Sequence, residues 1–320
     1  MAHYKRITDR IEELTVDNPR TAPTVKWVNI INAGKNEIDY LRKRYNFNLI
    51  HLKAAAASVS FQRPMIFKGD GYLCLVLHFP AFKGDKIVAG EIDFFVGHGY
   101  LITVHNNSLK ALTSFFSTGK KSPDSLISYS LESSAILLYE VLGHLMDDCF
   151  QLMDDNSLKI NEIEELIFAG RQKEAVQKIL LFRRNIINIR KIMQNHKNIL
   201  QTLTDMESSL VEKAAIKKYY SILIEHSKRI WEMLDNQKET IEVLNNTNES
   251  ILNDRMTDIM KTLTIFSVIV FPLTLLAAIF GMNAKYMPFV DHPLGFWMIV
   301  GIMVLCSLGM LLFFQKKKWL

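Results

Sequence analysis

"TLTIFSVIVFPLTLLAAIFGMNAKYMPF", residues 262–289, is the stretch on which the reading of the whole chain turns. From Thr262 to Ala284 it holds no charged residue, and after a few residues a second uncharged run extends from Pro293 to Gln315. A helix rising about 1.5 Å per residue needs roughly 20 apolar residues to cross a bilayer, and both runs are long enough. Buried helices of soluble proteins rarely continue that far without a charge. The two runs therefore predict transmembrane helices at residues 262–284 and 293–315, joined by a loop at 285–292. The end of the first run needs explaining: Gly281, Met282 and Asn283 put a single carboxamide at the mouth of an apolar segment.

The flanking charges orient the pair. Arg255 and Lys261 precede the first run, Lys316, Lys317 and Lys318 follow the second, and the loop holds Lys285. Cytoplasmic flanks carry the excess of Lys and Arg. Both termini are thus predicted to be cytoplasmic, with "KYMPFVDH" outside, in a multi-pass protein of the cell (inner) membrane. Trp297 and Trp319 suit the two interfacial belts. The N-terminal "MAHYKRITDRIEELTVDN" mixes charges and lacks the apolar stretch of a signal peptide. The part before the spans is expected to be a soluble domain that is not exported.

Over 320 residues, a net charge of +5 and 49% hydrophobic residues look ordinary; the distribution is what stands out. Cys74, Cys149 and Cys306 lie far apart and form no Cys-x-x-Cys pair, so neither a disulfide framework nor a zinc site is indicated. The His residues show no His-Glu-x-x-His spacing, and no glycine-rich phosphate loop is present. Without a catalytic constellation the chain does not read as an enzyme. Its Lys and Arg are scattered rather than gathered in a patch, which argues against nucleic acid as a partner.

Before the spans the pattern is α+β. "VKWVNII", "GYLCLVLHFPAF", "EIDFFVGHG" and "YLITVHN" read as strands and "NEIDYLRKRYN" as a helix, giving an α/β domain over residues 1–124. From Ser125 onward Pro is absent until Pro272, and Gly occurs only at Gly143 and Gly170. That predicts a helical hairpin over 125–207, turning at Gly170. Two "MDD" repeats place Asp147, Asp148, Asp154 and Asp155 on one helix face, either as a solvated surface or as a sink for cations. A third helix is expected over 208–261. Its apolar positions include Leu223, Ile230, Leu234, Ile241, Leu244, Ile251, Met256, Ile259 and Leu263, spaced as in a self-packing seam. It runs without Gly or Pro into the first span, as one helix of roughly 100 Å. A helix of that length is expected to need partners.

Two spans cannot enclose an aqueous path, so transport would require an oligomer. Along the first span Met260, Leu263, Ser267, Phe271, Thr274, Ala278 and Gly281 recur at three or four residues. Small or weakly polar groups alternate there with larger apolar ones. Helix-to-helix packing also uses small residues, so spacing leaves packing and pore lining level. Pro272 removes the bond to the Val268 carbonyl and is expected to bend the span.

Taken together, "MKTLTIFSVIVFPLTLLAAIFGMN", "YMP" and the terminal "KKKWL" resemble the CorA family of magnesium channels, whose signature is the Gly-Met-Asn tripeptide ending the first of two C-terminal spans. "WVNI" from Trp27, "FQRP" at 61–64 and "GYLCLVLHF" follow the family's order, so the resemblance covers residues 25–320. It implies a homopentameric funnel with a cytoplasmic α/β domain and a stalk helix that continues into the pore. By position Met260, Leu263, Thr274 and Asn283 match pore-facing residues. Thr257 stands where the family often has Asn, and Phe271 where it often has Met. Gly281, Met282 and Asn283 would form the selectivity filter. Asn283 would meet the transported Mg²⁺, or Co²⁺ or Ni²⁺, through the ion's coordinated waters. Residues 316–320 would be a basic cytoplasmic tail.

Two departures from the family pattern stand out. Lys285 and Phe289 occupy positions where Glu is common, and Asp291 remains, so recruitment of cations at the mouth should be weaker. Ala55 and Ala56 occupy the places of a Glu-Asp pair, and the partner position on the stalk falls on Ile222. The acidic pair by which relatives sense Mg²⁺ is therefore expected to be absent, with the "MDD" pairs or Asp235 and Glu239 as substitutes. The alternatives are a cobalt, nickel or zinc transporter of the same fold, and a membrane-tethered helical scaffold without a pore.

Overall fold

A computed structural model describes residues 2–17, 24–56, 64–121, 133–205, 213–282, 288, 293–317 and 319. The chain divides into two units, Met1–Asn245 and Asn246–Leu320.

The first unit is built on a seven-stranded sheet. Its strands are β1 (Ala2–Arg6), β2 (Ile11–Asp17), β3 (Thr24–Ile31), β4 (Met65–Gly69), β5 (Tyr72–Lys83), β6 (Lys86–Gly97) and β7 (Tyr100–His105). They lie in the order β1-β2-β3-β7-β6-β5-β4. Only β3 and β7 pair in parallel; the other neighbours are antiparallel. The β5–β6 hairpin pairs from Tyr72↔Gly97 to Lys83↔Lys86 and turns at Gly84, whose φ of +61° suits glycine. β5 is buried at every position from Tyr72 to Ala81, so it shows no alternation, as expected of a central strand covered on both faces.

Helices α1 (Lys35–Tyr45) and α2 (Leu49–Ala56) cover one face through Ile38, Leu41 and Leu52, with Phe47 of the segment between them. On the other, Trp27 meets Phe115 and Phe116 of α3 (Lys110–Lys121) at 5.4 and 5.0 Å between ring centroids. Helix α4 (Ser134–Phe168) is anchored there at its start, where the Ser134 hydroxyl donates to the Gly97 carbonyl at 2.6 Å.

α4 passes through Gly143 without a break. It stops as anticipated at Gly170, which adopts φ +82°. There Arg171 N–H bonds to the Leu166 carbonyl and Gly170 N–H to the Ile167 carbonyl, satisfying two orphan acceptors of the last turn. α5 (Gln172–Met193) returns antiparallel, and α6 (His196–Asp205) is a separate helix rather than its continuation. The helical segment expected from Ser125 is described only from Ser133, the N-cap of α4; residues 122–132 lie outside the described residues.

α7 (Lys213–Phe280) is one helix of 68 residues, about 100 Å at the standard rise. It runs parallel to α4: the Tyr220 hydroxyl donates to the Ala135 carbonyl, and Gln237 to the Met153 carbonyl. It runs antiparallel to α5, with Arg190 bonded to Asp235 and Arg183 near Glu242. The seam expected to need other chains divides into two surfaces. Tyr220, Leu223, Ile230, Leu234, Ile241 and Leu244 are buried within the first unit. On the hairpin, Ala135, Tyr139, Met153 and Asn156 of α4 and Arg190 of α5 meet this surface. Past that point the same periodicity is unpartnered: Met256, Ile259 and Leu263 are exposed.

The second unit holds the rest of α7 and α8 (Gly295–Lys316), two helices long and apolar enough to cross a membrane. α7 continues through Pro272 and ends at Phe280. Large apolar side chains, among them Phe266, Phe271, Trp297 and Leu305, stand exposed along both helices, the surface a bilayer or neighbouring copies would cover. After α8, Trp319 N–H bonds to the Phe314 carbonyl and the two rings stack at 5.8 Å.

Candidate pore face and cytoplasmic contact positions

The residues anticipated along the first span belong to one face. At about 100° per residue, Met260, Leu263, Ser267, Phe271, Thr274 and Ala278 of α7, with Gly281 directly after its end, fall within an arc of about 80°. Met260 and Leu263 are both 63% exposed and Phe271 72%. Ser267 donates its hydroxyl hydrogen to the Leu263 carbonyl at 2.9 Å, and Thr274 to that of Val270 at 2.8 Å. Each hydroxyl therefore has its donor committed and its lone pairs free. On an otherwise apolar stripe they act as acceptors, the polarity that suits the hydrogens of a cation's coordinated waters. Thr264 makes the same bond to the Met260 carbonyl at 2.8 Å; it borders the stripe and did not stand out in the sequence.

At the mouth, Gly281 N–H still bonds to the Ala277 carbonyl at 3.0 Å, and Met282 N–H closes a tighter turn on the Ile279 carbonyl at 3.2 Å. The Gly281 backbone is not in the left-handed region. Glycine matters there because a Cβ would stand 3.1 Å from the Ala277 carbonyl oxygen. Asn283, Lys285, Phe289 and Asp291 lie outside the described residues.

The positions anticipated for the acidic pair fall on two elements of the first unit. Ala56 is the last residue of α2, and Ala55 packs against the apolar core. Ile222 is 40% exposed on α7 and lines a depression of about 600 Å³ with Ser221, Glu225, His226, Arg229 and Glu232. Of the substitute acids, Asp235 is engaged by Arg190, while Glu239 and both "MDD" pairs are exposed. Partial burial raises the Asp148 pKa, opposed by the Lys110 charge. Among the described residues no group of three His, Cys, Asp or Glu is arranged to hold a metal ion.

The sheet buries titratable groups that sequence patterning did not reveal. Asp93 on β6 is 3% exposed, and its Oδ1 has no hydrogen-bond partner. Burial, aided by the nearby Glu91 charge, pushes its pKa up to about 8. Across the strand pair His78 meets Glu91 at 2.9 Å. His105 faces the Asn29 Oδ1 at 2.9 Å and takes the Asn107 N–H on Nδ1, the neutral tautomer; burial lowers its pKa to about 4. The alternation of β6 put Asp93 in a strand but carried no sign of which face is closed.

Three comparisons with known proteins bear on this arrangement. The family model described as CorA-like Mg2+ transporter protein matches residues 23–317. YfjQ of Bacillus subtilis is 25% identical over 293 residues, 92% of this chain and 89% of the relative. The cobalt/magnesium transport protein CorA of Thermotoga maritima is 30% identical over 184 residues, 58% of this chain and 52% of the relative. The complete structure of the CorA magnesium transporter from Methanocaldococcus jannaschii superposes with a TM-score of 0.81 at 21% identity, covering 92% of each chain. The last likeness concerns the fold: an α/β domain, a long helix and a C-terminal apolar helix.

Proposed function

The chain belongs to the CorA family of divalent-cation transporters in the membrane, and from that premise we propose that it assembles as a homopentameric channel for Mg²⁺ uptake. The observation that carries the reading is the stripe of α7. Five copies arranged around an axis would bring Met260, Leu263, Ser267, Phe271, Thr274 and Ala278 to a common path. Both termini would face the cytoplasm.

Mg²⁺ favours octahedral oxygen coordination at about 2.0–2.1 Å and dehydrates reluctantly. A ring of Asn283 carboxamides at the mouth would accept hydrogen bonds from the ion's waters and so select it hydrated. A carboxylate ring would hold it more tightly and slow its release. Below the mouth, the Thr274 and Ser267 oxygens offer further acceptors, and Phe271, Leu263 and Met260 would form dry constrictions. The driving force is electrical, roughly 4.6 kcal/mol for a divalent ion per 100 mV.

The experiment is uptake by the reconstituted full chain carrying Asn283→Ala. That change removes the oxygen ring and keeps the span, so uptake should collapse while assembly, read by native mass, stays pentameric. Uptake at the parent rate would refute the filter, and a monomeric parent would refute the pore. A second reading, Co²⁺ or Ni²⁺ as cargo, is favoured by Lys285 and Phe289 at positions where the family's mouth is acidic. Competition among Mg²⁺, Co²⁺, Ni²⁺ and Zn²⁺ in the same vesicles decides it.

A further inference from the structure

The tip of the β5–β6 hairpin has a feature that transport does not use. Lys83, Asp85, Lys86 and Val88 of the hairpin and Leu181 and Arg184 of α5 line a depression of about 490 Å³. Among the described residues neither Lys83, Lys86 nor Arg184 has a carboxylate partner, although Arg183, beside Arg184, reaches Glu242. The lining carries three cations against one carboxylate.

The hairpin is held rigidly to the helix that completes this wall. Asn185 donates through Nδ2 to the Asp85 carbonyl at 2.9 Å and accepts the Ile87 N–H at 3.3 Å. One turn on, Asn188 donates to the Ile87 carbonyl at 3.0 Å. Two asparagines of α5 thus replace the bonds that a hairpin tip ordinarily makes to water. A charged turn that only needed to be soluble would require no such clamp. Fixing it costs chain entropy and holds three like charges near one concavity, where they repel unless an anion is present.

The geometry points to a binding site for a phosphate-bearing anion in this depression. A guanidinium presents a planar fork to two oxygens of one phosphate, and ammonium groups neutralise the charge that remains. Val88 and Leu181 supply an apolar wall for an organic portion. The Asp85 carboxylate works against the anion, so the site has a predicted handle of either sign. The phosphate could belong to a soluble polyphosphate or to a lipid headgroup, which share this chemistry.

The test uses the full chain at low ionic strength and reads occupancy, not transport. Protection of Lys83 and Lys86 from an amine-reactive label is measured by mass spectrometry. In one arm inorganic pyrophosphate is titrated onto protein in detergent; in the other, phosphatidylglycerol replaces phosphatidylcholine in nanodiscs. Saturable protection should appear in at least one arm, and which arm it is identifies the source. Arg184→Ala should weaken it about tenfold, the loss of a charge-assisted contact, and Asp85→Asn should strengthen it. Lack of protection in both arms overturns the proposal. So does protection that is equal in the parent, Arg184→Ala and Asp85→Asn proteins, which would mean diffuse attraction to lysines.

Discussion

Gln237 on α7 donates its Nε2 hydrogen to the Met153 carbonyl on α4 at 2.7 Å, from a position that is itself buried in the helix seam. The same nitrogen reaches Ser157 Oγ at 3.1 Å, and the Gln237 Oε1 accepts from Asn156 at 3.4 Å. A polar side chain among Leu234, Ile241 and Leu244 costs packing, and its bonds are satisfied in only one register of the two helices. Gln237 therefore fixes how far α7 is advanced along the hairpin.

Gln237→Ala should lower stability by about 1–3 kcal/mol, because it leaves the Asn156 amide buried without its partner. Gln237→Leu should be milder, since it refills the space. Apparent melting temperatures of the detergent-solubilised chain provide the check. An alanine variant as stable as the parent would mean that the contact sets no register.

Asp93 makes a prediction about pH. Its folded-state pKa is raised to about 8 from an ordinary value of 3.8, so the folded protein keeps a proton that the unfolded chain releases. Stability from this group is full below about pH 4, falls as pH rises from there to about 8, and then levels. His105 has the opposite sign: its folded pKa near 4 makes stability fall as pH drops from 6.5 to 4. At pH 8 the histidine contributes nothing, which isolates Asp93. Asp93→Asn should raise the melting temperature at pH 8 and leave it nearly unchanged at pH 4. Equal shifts at both values would show that the carboxyl is not held protonated.

Phe271 tests the pore face directly. If five Phe271 rings narrow the path, Phe271→Ala widens a dewetting constriction, and current through the reconstituted channel should rise severalfold at unchanged ion preference. A side chain that faced only lipid would leave the current as it was. Phe266, also exposed on α7 but off the stripe, supplies the control: Phe266→Ala should not change conductance.

Much of this architecture was legible because apolar periodicity survives wherever one element meets one partner. β3, β6, β7 and α1 follow that rule, while the two spans and β5 were read from unbroken apolar runs and the turn from Gly170. The β1–β2 hairpin escaped because charged residues stand opposite one another in its register, Lys5 against Glu13 and Arg6 against Glu12, and hide its apolar alternation. The Tyr4 hydroxyl and the Lys120 ammonium of α3 then both bond Glu12 at 2.6 Å, a contact spanning more than a hundred residues. The helical seam was visible in the sequence, but its partner was not. Heptad spacing is the same whether the facing helix belongs to the same chain, as it does up to Leu244, or to another surface, as beyond Met256. Of the candidate site, the shared face of the stripe could be read from spacing, whereas the filter proposed at Gly281, Met282 and Asn283 rests on the motif alone, since a lone carboxamide has no periodicity.

Regulation supplies the last prediction. In the family pattern a Mg²⁺ ion between subunits neutralises facing carboxylates, and without it they repel and loosen the ring, a two-state element biased by a ligand. We propose that Ala56 and Ile222 stand at those positions, where they bring no charge. Ile222 instead offers a partly exposed apolar side chain to whatever lies against α7. Contact of that kind holds without metal, so the closed state should be insensitive to cytoplasmic Mg²⁺ at this place. Asp235 is a poor substitute because Arg190 already compensates it; Glu239 of α7 and the "MDD" pairs of α4, all exposed, are the acids left available. Channel current is measured across a range of cytoplasmic Mg²⁺ in the parent and in the Ala56→Asp, Ile222→Asp double variant. A flat response in the parent that becomes inhibition in the double variant supports the loss of the sensor. Strong inhibition in the parent that the double variant does not alter would place the sensor elsewhere, and neutralising Asp147, Asp148, Asp154, Asp155 and Glu239 together should then abolish it.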